Sequence, residues 1–234
     1  LYRTGIIDQA QYLNIIVENL NNVYKFAGVT QQSVANSSLT SWVKYYRQDE
    51  NSPNSIVSYY VKGSLVALCL DLLLRSKSQF SLDSVMLHLF KLWQVNPIGV
   101  AEDEFPALIQ AATGVDLAEF IQQATETTEM LPYVELLAQF GLDLTTRLAK
   151  NHQDSGKFNL STASAVPLVV GDLGAKLEKQ ALGYLVKNVY VDTPAERAGL
   201  AANDLIVALN QVKLTNLEKQ LAFIQNGESI ELTL

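Results

Sequence analysis

Cysteine and histidine are scarce in this chain of 234 residues. It has one cysteine, Cys69, and two histidines, His88 and His152, neither of which belongs to an HExxH motif. A single cysteine excludes an internal disulfide. Because Cys69 lies within the apolar run 65–74, we predict a buried structural thiol rather than a reactive one. Two isolated histidines exclude the common helical zinc-binding motif within this sequence.

Basic residues are also few. The chain has 17 Lys and Arg against 24 Asp and Glu, so its net charge is −7. No basic cluster could neutralise a phosphate backbone, which excludes nucleic acid as a partner. No apolar run approaches the ~20 residues that cross a bilayer, so we expect no membrane partner either. The remaining composition, 48% hydrophobic and 18% charged, is typical of folded globular chains with one or two domains.

Residues 1–141 have the periodicity of helices. Asp8 is the expected N-cap of a helix over residues 9–26, and Gly28 is its expected stop. Ser81 and Asp116 are expected to cap two later helices, and Pro132 to begin the last one, which ends at Gly141. The other predicted helices cover residues 39–47, 57–76 and 102–112, and residues 48–55 are predicted to form a loop.

The periodicity changes at Gly141, where a small, mostly β domain is predicted to begin. Residues 142–148 alternate as a strand does, and the polar stretch 150–165 predicts a long loop. Further strands are expected over residues 166–170, 175–178, 184–190, 205–209 and 229–234, the last of them cut off by the end of the chain. One helix, over residues 216–225, is predicted among them.

Residues 189–200 read Val-Tyr-Val-Asp-Thr-Pro-Ala-Glu-Arg-Ala-Gly-Leu, and an Asn-Asp turn and a strand follow. This run resembles the V-x-x-x-x-P-A-x-x-A-G-L pattern of bacterial PDZ domains, with Asn203 at a position usually held by glycine. The resemblance implies capture of a peptide C-terminus at a sheet edge. Leu173, Gly174 and Ala175 best match the carboxylate-binding loop. Leu217 and Leu221 either line the opposite wall of the groove or belong to the core.

Residues 59–63, Tyr-Tyr-Val-Lys-Gly, begin the apolar segment 64–75. Together with the run Leu-Tyr-Arg-Thr-Gly-Ile-Ile-Asp at residues 1–8 and the PDZ pattern that follows, they resemble the glycyl aminopeptidase family. These proteins are gluzincin zinc peptidases with a thermolysin-like catalytic domain and a C-terminal PDZ domain. The resemblance implies a multidomain chain, with the helical part of the catalytic domain over 1–141 and a PDZ-like domain over 142–234.

In that family the zinc ligands and the general-base glutamate precede the Arg-x-Gly-Ile segment, which is at residues 3–6 here. The resemblance therefore implies that this chain begins just after the last zinc ligand. Zinc is expected in the intact protein, where it would polarise the scissile carbonyl and activate water, but not in this chain, which we expect to be inactive alone. The implied substrates are peptides with N-terminal glycine or another small residue. Tyr60 is the implied hydrogen-bond donor to the oxyanion, and Tyr59 is expected to pack.

We predict structural roles, and not catalysis or metal binding, for two charged residues and both histidines. Asp71 is expected to form a buried ion pair with Arg75, four residues on, and Lys62 to have a similar structural role. His88 is expected on a helix face and His152 in the polar loop, neither as a metal ligand. The alternative function is a non-catalytic, PDZ-containing scaffold that binds peptides. An upstream HExxH, followed by a glutamate about 20 residues later, would exclude the scaffold.

Overall fold

The structure is a computed structural model that describes residues 2–147, 154, 156–158, 171–224 and 227–234. The chain divides into two compact units. Unit 1 consists of Leu1–Gln31, Ser41–Ile56 and Arg147–Leu234, and unit 2 of Gln32–Thr40 and Val57–Thr146. The predicted domain boundary between residues 141 and 142 stays a prediction. The strand predicted over residues 166–170, most of the loop predicted over 150–165 and the position of His152 lie outside the described residues.

The first helix begins where the sequence predicts. Helix α1 covers Gln9–Tyr24. The backbone N–H of Gln11 donates to Asp8 Oδ1 (2.8 Å), and the N–H of Asp8 donates to Gln11 Oε1 (2.9 Å). This is a reciprocal capping box, which satisfies two donors at the helix start. The predicted cap is confirmed.

Gly28 has a different role from the predicted helix stop. It lies in the short helix α2, Gly28–Gln31, and its φ is not positive. A Cβ at this position would lie 2.0 Å from the backbone oxygen of Ile56. Glycine is therefore required because two backbone segments of unit 1 approach closely, and not because the chain turns with a left-handed residue.

Unit 2 is built around one long helix. Helix α5, Tyr59–Lys77, contacts four others: α3 (Val34–Leu39), α6 (Leu82–Val95), α8 (Ala118–Glu126) and α9 (Tyr133–Ala138). Its buried side chains include Leu65, Cys69 and Leu74. A core cluster joins α5 to its neighbours and to helix α7, Phe105–Thr113, through Leu70, Leu74, Val85, Ile109 and Leu117. Burial of these apolar groups is the main stabilising contribution of the unit.

Several predictions for the helical part are wrong. The helix predicted over residues 39–47 is absent, because α3 ends at Leu39 and the chain then forms turns that leave Trp42 exposed. The predicted loop over 48–55 contains a helical turn, α4 (Ser52–Ser55), because proline is well suited to a first helical position. Helix α7 starts at Phe105, so the three acidic residues at 102–104 precede it.

Asp71 connects two helices of unit 2. Its Oδ2 accepts from Arg75 Nε (2.8 Å), as the i, i+4 spacing predicts. Its Oδ1 accepts from the backbone N–H of Leu82 at the start of α6 (2.8 Å). The predicted ion pair is confirmed, but its burial is not, because the carboxylate stays partly exposed at the helix surface.

The sequence was predicted to contain no apolar stretch long enough to cross a membrane. Judged by length and composition alone, that prediction is wrong. Within the described residues, the stretch Ser52–Lys77 is long and apolar enough to cross a membrane. The core helix of a folded protein meets the same criterion, and α5 carries the core residues named above. This stretch is accordingly weak evidence for a membrane segment.

The strands of unit 1 form two small antiparallel sheets among the described residues. One has the order β1-β2-β3, from Ala175–Lys179, Tyr184–Val189 and Leu205–Ile206. The other has the order β5-β4-β6, from Val212–Lys213, Ala208–Leu209 and Leu232–Thr233. Helices α10 (Pro194–Arg197) and α11 (Leu217–Leu221) accompany them. Asn203 has a φ of 77°, which confirms that it takes the position usually held by glycine.

Several strand predictions need correction. The described residues 142–147 form no strand. The strand predicted over 205–209 is divided into β3 and β4 at Val207, whose N–H donates to Thr233 O. Strand β5 was not predicted because both of its residues are exposed and lack an alternating pattern.

The side chain of Asn54, in helix α4, forms hydrogen bonds with the backbone at the end of strand β2. Asn54 Nδ2 donates to Val189 O (2.8 Å), and the N–H of Val191 donates to Asn54 Oδ1 (3.2 Å). The side-chain amide thereby pairs with the backbone much as a neighbouring strand would. Asn188 Nδ2 adds a bond to Glu50 O (2.9 Å), and the rings of Phe26 and Tyr190 are in contact. Unit 1 thus joins the start of the chain to its C-terminal sheets.

Candidate functional site

Tyr60 lies in the first turn of α5. Ser58 is the N-cap, and its Oγ accepts from the N–H of Val61 (3.3 Å). The side chain of Tyr60 is 57% exposed, although the helix that carries it is the central one of unit 2. The rings of Tyr59 and Tyr60 are in contact, with centroids 4.2 Å apart. An exposed phenol on a well-anchored helix can offer a hydrogen bond to a bound molecule.

Buried polar groups fix the backbone that leads into this turn. Ser37 Oγ donates to Val57 O, and the N–H of Val57 donates to Gln32 Oε1 (3.2 Å). Ser37 and Gln32 are both buried. Since a buried hydrogen bond is costly to leave unmade, these contacts hold the entry to α5 in one conformation.

Lys62 is the other charged residue for which a structural role is predicted. The side chain is fully buried, and its Nζ has no hydrogen-bond partner among the described residues. No counterpart of the Asp71–Arg75 ion pair is therefore found for it among those residues, and its structural role stays a prediction. Burial lowers the pKa of Lys62 from its ordinary value, because removal from water disfavours the charged ammonium.

The described residues do not form a zinc site. Nowhere in them do three His, Cys, Asp or Glu side chains group so as to hold a metal ion. The Cys69 thiol is buried, and burial raises its pKa to about 12, so it stays protonated and is a poor ligand or nucleophile. His88 is half-buried on α6, as predicted for a helix face.

The loop proposed to bind a carboxylate precedes strand β1. Leu173 is buried in the core of the sheets, and Gly174 has a φ of 77°. A Cβ on Gly174 would lie 2.1 Å from Thr193 Cβ, so glycine is required there for space as well as conformation. Gly174 O accepts from the N–H of Tyr190 (2.9 Å), and Ala175 pairs with Val189. Among the described residues, strand β1 is at the edge of its three-stranded sheet.

One hydrogen bond of this loop was not predicted, and the structure decides between two interpretations of helix α11. Asp172 Oδ1 accepts from the N–H of Gly174 (2.9 Å), a backbone donor that the PDZ resemblance assigns to a peptide carboxylate. Leu217 and Leu221 of α11 are both buried in the core cluster. The sequence did carry a signal for Asp172, since Asp two residues before Gly is a common turn pattern. The core interpretation of Leu217 and Leu221 is the one that their burial supports.

Comparison with known proteins agrees with the motifs. The sequence profile of the M61 glycyl aminopeptidase family matches residues 1–66, and that of a PDZ domain matches residues 185–234. The chain is also similar to the crystal structure of an aminopeptidase N family protein from Idiomarina loihiensis, with 37% identity, a TM-score of 0.88 and 99% of this chain covered. The resemblance to the glycyl aminopeptidase family is confirmed.

The extent of the match limits what it shows. The chain spans 39% of the length of the Idiomarina loihiensis protein, and no curated protein sequence matches it. The comparisons support a protein of a peptidase family, with a helical portion followed by a small PDZ region that contains strands. A PDZ region is suited to peptide binding.

Proposed function

We propose that this chain is the C-terminal part of a zinc-dependent aminopeptidase that removes N-terminal glycine and other small residues, with Tyr60 as the oxyanion donor. The observation that carries the proposal is the family match over residues 1–66, which includes the complete run 59–63. Tyr60 is the member of that run with an exposed phenol. The helical part would complete a thermolysin-like catalytic domain in the longer polypeptide.

The phenol suits the proposed role for two reasons. It is a neutral donor at pH 7, so it can stabilise the developing negative charge of a tetrahedral intermediate without first losing a proton. Its helix is capped by Ser58, and the preceding residue Val57 is held by Gln32 and Ser37. A donor held in place before the reaction costs little reorganisation during it.

Zinc would have to be held by residues outside those described, because the latter offer no group of three ligands. When bound in the longer polypeptide, zinc would supply the polarisation of the scissile carbonyl and the activation of water. The residues of this chain contribute binding and orientation, chiefly the hydrogen bond from Tyr60. We accordingly propose that this chain alone binds no zinc and hydrolyses no peptide.

Substitution of Tyr60 by phenylalanine tests the proposed donor. In the longer polypeptide that contains this chain, Tyr60→Phe should lower kcat by about 100- to 1,000-fold and change KM little, because one oxyanion donor is lost. The measurement is steady-state hydrolysis of glycyl-p-nitroanilide, together with the zinc content of the purified protein, which should not change.

Tyr59→Phe is the matched control, since Tyr59 is the adjacent tyrosine in the same turn and its ring contacts that of Tyr60. It should leave kcat within a few-fold of the unsubstituted enzyme. Unchanged turnover in Tyr60→Phe, or an equal loss in the two variants, would remove Tyr60 from the mechanism.

We also propose that the PDZ region binds a peptide with a free C-terminus along the edge of β1. The PDZ match, the edge position of β1 and the left-handed Gly174 support this. The bond from Gly174 to Asp172 opposes it, because the peptide carboxylate would compete with a carboxylate already in place. We therefore expect weak binding that Asp172 limits.

A further inference from the structure

Lys62 stands apart from the other buried polar residues of unit 2. Gln32 bonds to Val57, Asn36 and Thr40; Ser37 donates to Val57; and Thr113 donates to Ile109 O. Each of these groups is satisfied within the unit, as buried polar groups generally are. Lys62 Nζ is the buried polar group of unit 2 that has no partner in the part of the chain that the structure describes.

The position of Lys62 favours an anion. It lies in the first turns of α5, a helix of 19 residues, and no acidic residue occupies the first turn. Side chains on a helix lean towards its N-terminus, so we expect that of Lys62 to run back towards the turn that carries Tyr60. The N-terminal end of a helix carries partial positive charge, which stabilises anions and adds to the effect of the ammonium.

No described helix next to α5 supplies the missing anion. Helix α3 has no charged residue, and Asp71, on α5 itself, is engaged by Arg75 and Leu82. Lys91 of α6 is an exposed cation, and His88 beside it is half-buried. The carboxylates of α6, α8 and α9 are all exposed, namely Asp83, Glu119, Glu126 and Glu135.

We propose that the first turn of α5 is a binding site for a carboxylate, with the Lys62 ammonium as its charged donor. This proposal rests on the proposed function. It makes Lys62 a positioning residue, because its anion would hold in place the turn that presents Tyr60. This carboxylate can be supplied in two ways. It is either an Asp or Glu side chain elsewhere in the longer polypeptide or the carboxylate of a short peptide substrate.

The test measures the pKa of Lys62 directly. Lysine labelled with ¹³C at Cε and ¹⁵N at Nζ is followed by NMR against pH in the 234-residue chain and in the longer polypeptide. Lys62→Met assigns the resonance, and Lys77→Met assigns the exposed lysine at the other end of α5 as an internal reference. Each protein is titrated alone, with glycylglycine, and with glycylglycinamide, which has the same amine but no carboxylate.

We expect Lys62 to titrate below Lys77 in the 234-residue chain. A rise in the longer polypeptide without added peptide would identify a protein carboxylate. A rise with glycylglycine but not with its amide would identify the substrate carboxylate. The proposal is overturned if Lys62 titrates with Lys77 in the 234-residue chain, or if its pKa stays low in every sample. This result is independent of turnover, so it stands apart from the Tyr60→Phe test of the proposed function.

Discussion

At the residue scale, Tyr60 and Lys62 of the run 59–63 have opposite environments. Tyr60 is exposed, whereas Lys62, two positions on, is fully buried and has no hydrogen-bond partner among the described residues. A phenol loses little by exposure, but an unpaired buried ammonium opposes folding. The 234-residue chain therefore holds an unfavourable group next to the residue proposed to act in catalysis, and the stability of the chain should show this.

The stability of the chain should depend on pH through Lys62. Its folded-state pKa is lowered from 10.5 by burial, so between the two pKa values the unfolded chain binds more protons than the folded one. The free energy of unfolding should consequently rise with pH through that window. Lys62→Met should raise the free energy of unfolding at pH 7 by about 1–3 kcal/mol. Its free energy of unfolding should also lack the increase with pH that Lys62 causes. Urea unfolding from pH 7 to 10 measures both effects.

Lys77→Met is the control for this comparison, because it removes an exposed lysine from the same helix. It should keep the pH dependence of the original chain. Equal slopes of stability against pH in the original chain and in Lys62→Met would show that Lys62 is not desolvated in the folded state.

Residue-level predictions from the sequence succeeded where the partner is local. Asp71 and Arg75 are one helical turn apart, so their ion pair follows from spacing alone. The burial of Lys62 could not be predicted in this way, since it depends on which distant groups pack around α5. The close approach of Gly28 to Ile56 is likewise a tertiary contact, and it was mistaken for a helix stop.

At the element scale, helices with side-chain caps were predictable. Asp8 and Ser81 are the N-caps of α1 and α6, as the sequence predicts. The predicted cap of α8 is wrong, because Leu117 and not Asp116 is its N-cap. The failures are segments whose apolar residues have helical spacing but remain exposed, such as 39–47, and strands only two residues long, such as β5. In both cases tertiary packing decides the conformation and periodicity does not.

The loop before β1 allows a prediction about peptide binding. Asp172→Asn keeps an oxygen near the N–H of Gly174 but removes the negative charge that would face a peptide carboxylate. It should tighten binding of a fluorescein-labelled random decapeptide library with free C-termini by roughly 3- to 10-fold. Fluorescence polarisation measures this effect, and the same library with amidated C-termini should show none.

Asp204→Asn provides the matched variant, since Asp204 Oδ2 also accepts from a backbone N–H, that of Ala201, in another loop of the sheets. It should leave binding unchanged. Tighter binding of the amidated library by Asp172→Asn would show that the groove does not recognise a C-terminal carboxylate.

At the scale of the whole molecule, the order of motifs carried the family resemblance. The match to the glycyl aminopeptidase profile near the start and the match to the PDZ profile near the end are each partial. The structural similarity covers 99% of this chain but 39% of the related protein. The helical core, the two small sheets and the contact of Asn54 with Val189 are thus features of a chain that matches part of the length of that related protein.

The central proposal is that this chain carries the oxyanion tyrosine of an aminopeptidase, whose metal centre is held by other parts of the longer polypeptide. The most direct measurement compares the 234-residue chain with the longer polypeptide, each purified with zinc in the medium, for bound zinc by mass spectrometry and for hydrolysis of glycyl-p-nitroanilide. The account predicts zinc and hydrolysis in the longer polypeptide and neither in the 234-residue chain. Stoichiometric zinc with hydrolysis in the 234-residue chain, or neither property in the longer polypeptide, would contradict it.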